Sequence, residues 1–205
     1  VPDCHPVQSS INRLQSGVAV STLGLSLPDS PLRDSSVAAA NQGFANGGGA
    51  WAWRATLLRS TISGNTVTGS GRYTYFWYQT SGGGLYTNFS ATLTDSTISG
   101  NSVAATAEGA SANGGGIASR AFLTIDGSTL SGNSADGVGG GFISPSASYP
   151  QQRAAPNQIT IQNSTVSGNR ARFGGAFGAS IGATVANSTF AFNTSADGGA
   201  VAFPH

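Results

Sequence analysis

The chain offers few groups for acid–base, nucleophilic or metal chemistry: eight carboxylates, nine arginines, two histidines, one cysteine and no lysine in 205 residues. Asp95 stands six residues before Asn101, and Asp126 seven before Asn133. On strands one residue out of register, the two carboxylates are expected on opposite faces. Asp136 and Asp197 follow Asn133 and Asn193 by three and four residues and are expected in turns. Glycosidic acid–base work needs two carboxyls held ~5–10 Å apart, and no pair here is placed to meet that need. His5 and His205 lie at opposite ends of the sequence, which argues against a histidine-centred triad or zinc site within one subunit. The glycine runs lack the Lys-Ser/Thr that completes a phosphate loop. Cys4 has no partner for an internal disulfide, leaving a free thiol or a bridge to another chain. The expectation is no catalytic residue, no cofactor and no metal.

The charge balance narrows the partners. A formal net charge of +1, with 8% charged residues, supplies no basic field for nucleic acid or an anionic membrane. No apolar stretch reaches the ~18 residues of a spanning helix. The first residue is Val1 and methionine is absent. This suggests a processed chain, with removal of a signal peptide as one cause.

What must position any functional group is a repeat. "STISGN" ends at Asn65 and again at Asn101, "STLSGN" at Asn133, "STVSGN" at Asn169 and "STFAFN" at Asn193, with a weaker relative ending at Asn41. Glycine runs begin at Gly47, Gly82, Gly114, Gly139 and Gly174. The shortest Asn-to-Asn period is 24, and longer periods of 32 and 36 reflect insertions. A period near 24 suits one coil of a parallel β-solenoid, and within each unit apolar residues alternate with period two. Three apolar columns follow: Ile62, Ile98, Leu130, Val166, Phe190; Leu57, Leu93, Ile125, Ile161, Val185; and Ala50, Leu85, Ile117, Phe142, Phe177, Val201. At ~4.8 Å between strands they would form a tubular core. The asparagines (Asn41, Asn65, Asn101, Asn133, Asn169, Asn193) would form a structural ladder at a corner, where Asn tolerates left-handed backbone. Glycine precedes each at Gly64, Gly100, Gly132 and Gly168. Phe192 takes that place in the last unit, so its corner is expected to differ.

The "STISGN…GGG" grammar resembles that of bacterial secreted and surface proteins with right-handed parallel β-helices. "GGAF" at 174 and "FAFN" at 190 match the GGA and FxxN motifs of polymorphic outer-membrane proteins. The resemblance covers about residues 36–203. It implies an all-β, single-stranded right-handed parallel β-helix of about six to eight coils and an extracellular or cell-surface address. It does not imply an activity, since enzymes, adhesins and structural proteins share the fold. Lyases on this fold use clustered Asp for calcium and a Lys or Arg base, and this chain has neither lysine nor an acidic cluster.

Residues 1–35 lose the repeat grammar and are expected to form an atypical first coil or cap, with the repeat domain over 36–205. Corner insertions are expected at 66–81, 102–113 and 143–158. The first carries Tyr73, Tyr75, Phe76, Trp77 and Tyr78. That aromatic group has three open readings: packing on the solenoid flank beside Trp51 and Trp53, contact with a partner or subunit, or stacking on a surface glycan; for the last two, Trp51, Trp53 and Tyr86 join it as candidate contact residues. By alternation Trp51 and Trp53 should both lie outside. Sequons make Asn88, Asn163 and Asn187 candidate glycosylation sites. No capping helix follows "GGAVAFPH", and an open solenoid end invites self-association. The leading expectation is a non-enzymatic extracellular structural or adhesive β-helix that stacks end to end. The alternatives are a carbohydrate-binding or carbohydrate-active β-helix, and a passenger fragment of a larger autotransported protein.

Overall fold

The computed structural model describes residues 8–11, 15–16, 20–29, 31–33, 36–39, 45–69, 80–106, 112–144, 159–179, 182–197 and 199–202. Among them there is no helix, and the strands pair in parallel to form a β-solenoid. A six-stranded sheet takes Pro31–Arg33, Thr61–Ser63, Thr97–Ser99, Thr129–Ser131, Thr165–Ser167 and Thr189–Ala191. A seven-stranded sheet runs from Gln8–Ile11 through Thr66–Gly69, Ser102–Ala105 and Arg170–Phe173 to Thr194–Ser195. A ten-stranded sheet contains Val20–Pro28, Ala50–Leu58 and Leu85–Thr94, continued by shorter strands to Val201–Ala202. A four-stranded sheet, including Ala45–Asn46, Thr80–Ser81 and Ala112–Asn113, lines the entry to the glycine runs.

Period-two alternation puts one face of each strand inside. In Thr97–Ser99 the central Ile98 is buried and its two neighbours are half-buried. Ile98 pairs with Ile62 on one side and Leu130 on the other, and Leu130 with Val166. Leu57, Leu93, Ile125 and Ile161 stack likewise in the ten-stranded sheet. Phe142 and Phe177 stack with ring centroids 4.7 Å apart and planes 5° apart, and Phe190 meets Phe177 at 5.9 Å. These columns form one continuous apolar cluster. Each fully buried leucine or isoleucine contributes about 2 kcal/mol from area alone.

The corners depend on backbone geometry. Gly64, Gly100, Gly132 and Gly168 have φ between 62° and 67°. Phe192 has φ 56°, so the last corner keeps the geometry of the others, contrary to the sequence expectation. Stacking with the rung before it holds Phe192 there at a cost of about 1–2 kcal/mol for an L-residue in that region. The ladder asparagines are not left-handed. A second left-handed column falls six residues before each of them: Arg59, Asp95, Gly127, Asn163 and Asn187, with Asp29 ahead of Arg59. At the glycine corner backbone meets backbone. A Cβ on Gly84 would stand 2.8 Å from the Gly116 carbonyl oxygen and 2.9 Å from the Asn101 amide carbon.

Parts of the stretches expected as corner insertions are strands. Thr66–Gly69, Thr80–Ser81, Ser102–Ala105 and Ala112–Asn113 are sheet strands, as are Ile143 and Ser144. Residues 70–79, 107–111 and 145–158 lie outside the described residues, and with them Tyr73, Tyr75, Phe76, Trp77 and Tyr78. Cys4, His5, Asn41, Phe203 and His205 lie outside them as well.

Candidate functional site

A buried asparagine ladder runs inside the corner after the six-stranded sheet. Asn65, Asn101, Asn133 and Asn169 are fully buried. Asn101, Asn133 and Asn169 each accept through Oδ1 from the rung before, and all four donate to the rung after. Asn101 N and Nδ2 both donate to Asn133 Oδ1 at 3.0 Å, and Asn133 N and Nδ2 both donate to Asn169 Oδ1 at 2.9 Å. Asn133 Nδ2 also donates to the Ile98 carbonyl at 3.0 Å. Asn193 ends the run, accepting both donors of Asn169. A parallel serine ladder joins Ser60, Ser96, Ser128, Ser164 and Ser188, each backbone N–H donating to the next hydroxyl at 3.0–3.1 Å. Both ladders neutralise buried backbone and side-chain polarity. Every polar atom of the Asn133 side chain is already engaged, so the ladder is scaffold.

The aromatic surface sits on the outer side of the ten-stranded sheet. Trp51 pairs with Tyr86, and Tyr86 with Ala118. Both point away from the main core, yet Tyr86 is buried and Trp51 half-buried, since they pack with Ala118, Val138 and Ile143 in a second apolar cluster. Alternation alone assigned Trp51 to the outside. The turn through the glycine runs brings Val138 over this column. It comes so close to Gly178 that a Cβ there would overlap the Val138 side chain. Trp53 does stay outside, 39% exposed. It does not simply face Asn88: one residue, Trp53, separates Ala52 from Arg54, while Asn88 and Phe89 both separate Thr87 from Ser90. This bulge turns Phe89 toward Arg54, whose guanidinium carbon is 4.2 Å from the ring centroid, and against Phe122 at 5.3 Å. Asn88 Oδ1 accepts from the Tyr86 hydroxyl and from Arg120, both at 3.4 Å. Among the described residues of the predicted contact surface, the indole of Trp53 is the exposed one.

The carboxylates serve the corners. Asp126 is outward at a strand end, opposite Thr94. Asp95 has already left its strand into the left-handed corner, so both are outside, not on opposite faces. Side-chain hydrogen bonds from Gln162 and Asn163 hold the Asp126 carboxyl below its usual pKa, the Asn163 bond being 3.0 Å. Arg59 donates to both oxygens of Asp29 at 2.7 and 2.9 Å and lowers that carboxyl too. Asp136 lies in the strand Ser134–Val138, not in a turn, and accepts from Ala105 N at 2.9 Å. Asp197 pairs with Arg172 at 3.0 Å. Asp136, Arg170 and Arg172 line a shallow open cleft on the seven-stranded sheet. Among the described residues no three His, Cys, Asp or Glu groups converge on a point that could hold a metal.

Of the candidate glycosylation residues, Asn88 is half-buried, while Asn163 and Asn187 are exposed at left-handed corners. Sequence reasoning missed the Arg59–Asn187 corner column, because its residue types share nothing. It also missed the exposure of Phe192, at 89% the most open of the large apolar residues described. A scan of protein-family profiles, a search of curated proteins and a search of solved structures each found no match.

Proposed function

We propose that the protein is a non-catalytic extracellular structural or adhesive β-helix that associates with copies of itself through the ends of the solenoid. One observation carries this reading: Val185 and Phe190 continue the core columns of Ile161 and Val166, yet Val185 is 45% exposed and Phe190 only half-buried. Further parallel strands of matching column spacing would bury them and satisfy the edge. A second copy is the natural donor of such strands, because the same columns run through its every repeat. We further propose right-handed winding with six to eight coils. The seven- and ten-stranded sheets support that count, and the resemblance to bacterial surface β-helices supports the handedness. That resemblance and the low charge support a cell-surface address and argue against nucleic acid as partner. Among the described residues no helix is long and apolar enough to cross a membrane.

Electron microscopy and light scattering of the purified protein across concentration test this. Filaments or concentration-dependent oligomers are expected, and Val185→Asp should dissolve them. Monodisperse monomers at every concentration would sink the proposal. A second reading, binding to a surface glycan, is favoured by the exposed Trp53 opposite the Asn88–Phe89 bulge. Its test is polysaccharide binding by the protein and by Trp53→Ala.

A further inference from the structure

Among the described residues, the six-stranded sheet presents an outer face built of two parallel hydroxyl columns. Each Thr-x-Ser strand turns its central apolar residue inward and its two hydroxyl residues outward. Parallel pairing without a register shift aligns a threonine column from Thr61 to Thr189 and a serine column from Ser63 to Ser167. The result is a two-dimensional lattice. Its repeat along the solenoid axis is ~4.8 Å, and along the strand, over two residues, ~6.6 Å. None of these hydroxyls has a hydrogen-bond partner among the described residues. That differs from the seven-stranded sheet, where Ser102 donates to Thr66 at 3.2 Å.

Charge and relief matter as much as spacing. From Thr61 to Ala191 the strands of this sheet carry no charged residue. Charges would hold private hydration shells and break any regular water layer. One rim is the glycine column from Gly64 to Gly168, where no side chain rises above the plane until Phe192. The threonines are β-branched and stiff at χ1, and they stand on strands locked on both sides. Each offers a methyl, over which water orders, beside a hydroxyl that can anchor it.

We propose that this face binds the surface of ice. The two lattice repeats lie near the a- and c-axis repeats of hexagonal ice. The free hydroxyls then meet successive surface waters in register, and the neutral face matches a neutral lattice. No proton or electron moves: the face adsorbs to a growing crystal plane through hydrogen bonds to ordered water. This activity is independent of the solenoid ends and of self-association.

The test is ice growth in a nanolitre osmometer, with the full chain and an equal mass of a non-binding globular protein as reference. The wild type should facet the seed crystal and hold its growth below the melting point. Thr129→Lys, at the centre of the threonine column, should abolish both effects. Thr68→Lys, on the outer face of the seven-stranded sheet, should retain them. Circular dichroism and thermal melts report whether each variant is folded. Unfaceted discs growing freely with the wild type would overturn the proposal even if no variant folds. So would loss of activity in Thr68→Lys equal to that in a folded Thr129→Lys.

Discussion

Replacing Asn133 with alanine probes the ladder at its middle. The side chain accepts from Asn101 N and Nδ2 and donates to Ile98 O and Asn169 Oδ1. Some of those partners retain a second bond: Asn101 Nδ2 still reaches Ile62 O, and Asn169 Oδ1 still accepts from Asn133 N. The Asn101 N–H loses its acceptor, whereas the Ile98 carbonyl keeps the ladder bond from Ser131 N. The neighbouring side chains are fully buried, so no water replaces the lost bond without opening a corner. One buried polar group left unsatisfied costs ~1–3 kcal/mol, and the bonds lost by partners that stay satisfied add to it. The total, ~2–4 kcal/mol, is a large fraction of the ~5–15 kcal/mol that holds a domain folded. Asn193 makes the same kind of contacts at the last rung but is half-buried. Water can reach its partners, and Asn193→Ala should cost ~1 kcal/mol. Equilibrium urea unfolding followed by circular dichroism gives both values from midpoints at a common slope. If Asn133→Ala lies within 1 kcal/mol of the wild type, or matches Asn193→Ala, the ladder is not a stabilising element and the reasoning is wrong.

Phe192→Gly should raise stability by ~1 kcal/mol by removing a left-handed L-residue whose side chain is 89% exposed; a lowered melting midpoint would show that the ring has a packing role. Gly84→Ala should destabilise by several kcal/mol, since its Cβ meets the Gly116 carbonyl and the Asn101 amide, a backbone overlap with no soft neighbour to yield; differential scanning calorimetry reads the loss. Leu130→Ala, fully buried between Ile98 and Val166, should cost ~2–5 kcal/mol, measured by the same urea series. Asp29 and Asp126 both have folded pKa values below the ordinary ones. Their contribution is therefore complete above the unfolded carboxylate pKa of ~3.9 and fades as pH falls through the lowered values. Carboxyl titration by NMR should find both midpoints below those of free Asp, and Asn163→Ala should move Asp126 back toward it.

The inner columns were legible in the sequence for a simple reason. An apolar residue inside a tube has no alternative environment, so Ile62, Ile98, Leu130 and Val166 keep one residue class at one offset. The buried asparagines are legible for the same reason, because only Asn supplies two donors and an acceptor in that shape. The Arg59–Asn187 corner was not legible. Its requirement is a left-handed backbone with the side chain directed outward, and Arg59, Asp95, Gly127 and Asn163 meet it in unrelated ways. Nor could alternation place Trp51. Period two states which way a side chain leaves its own strand, not whether Val138 from a neighbouring strand comes back over it. The bulge opposite Trp53 escaped because a one-residue difference between Thr87 and Ser90 looks like ordinary spacing variation.

The ladder also has a direction. Every amide from Asn65 to Asn169 donates to the Oδ1 of the higher-numbered rung, so the amides of Asn101 to Asn193 accept from the lower-numbered one. The amide dipoles therefore point the same way along the axis and add, as peptide dipoles do in a helix. The tube has an electrically distinct head and tail. Two copies meeting head to head would oppose like poles, whereas head to tail continues the field. The proposed self-association is thus biased toward the heterologous contact that propagates without closing, and a filament built that way would be polar, with two ends that grow at different rates.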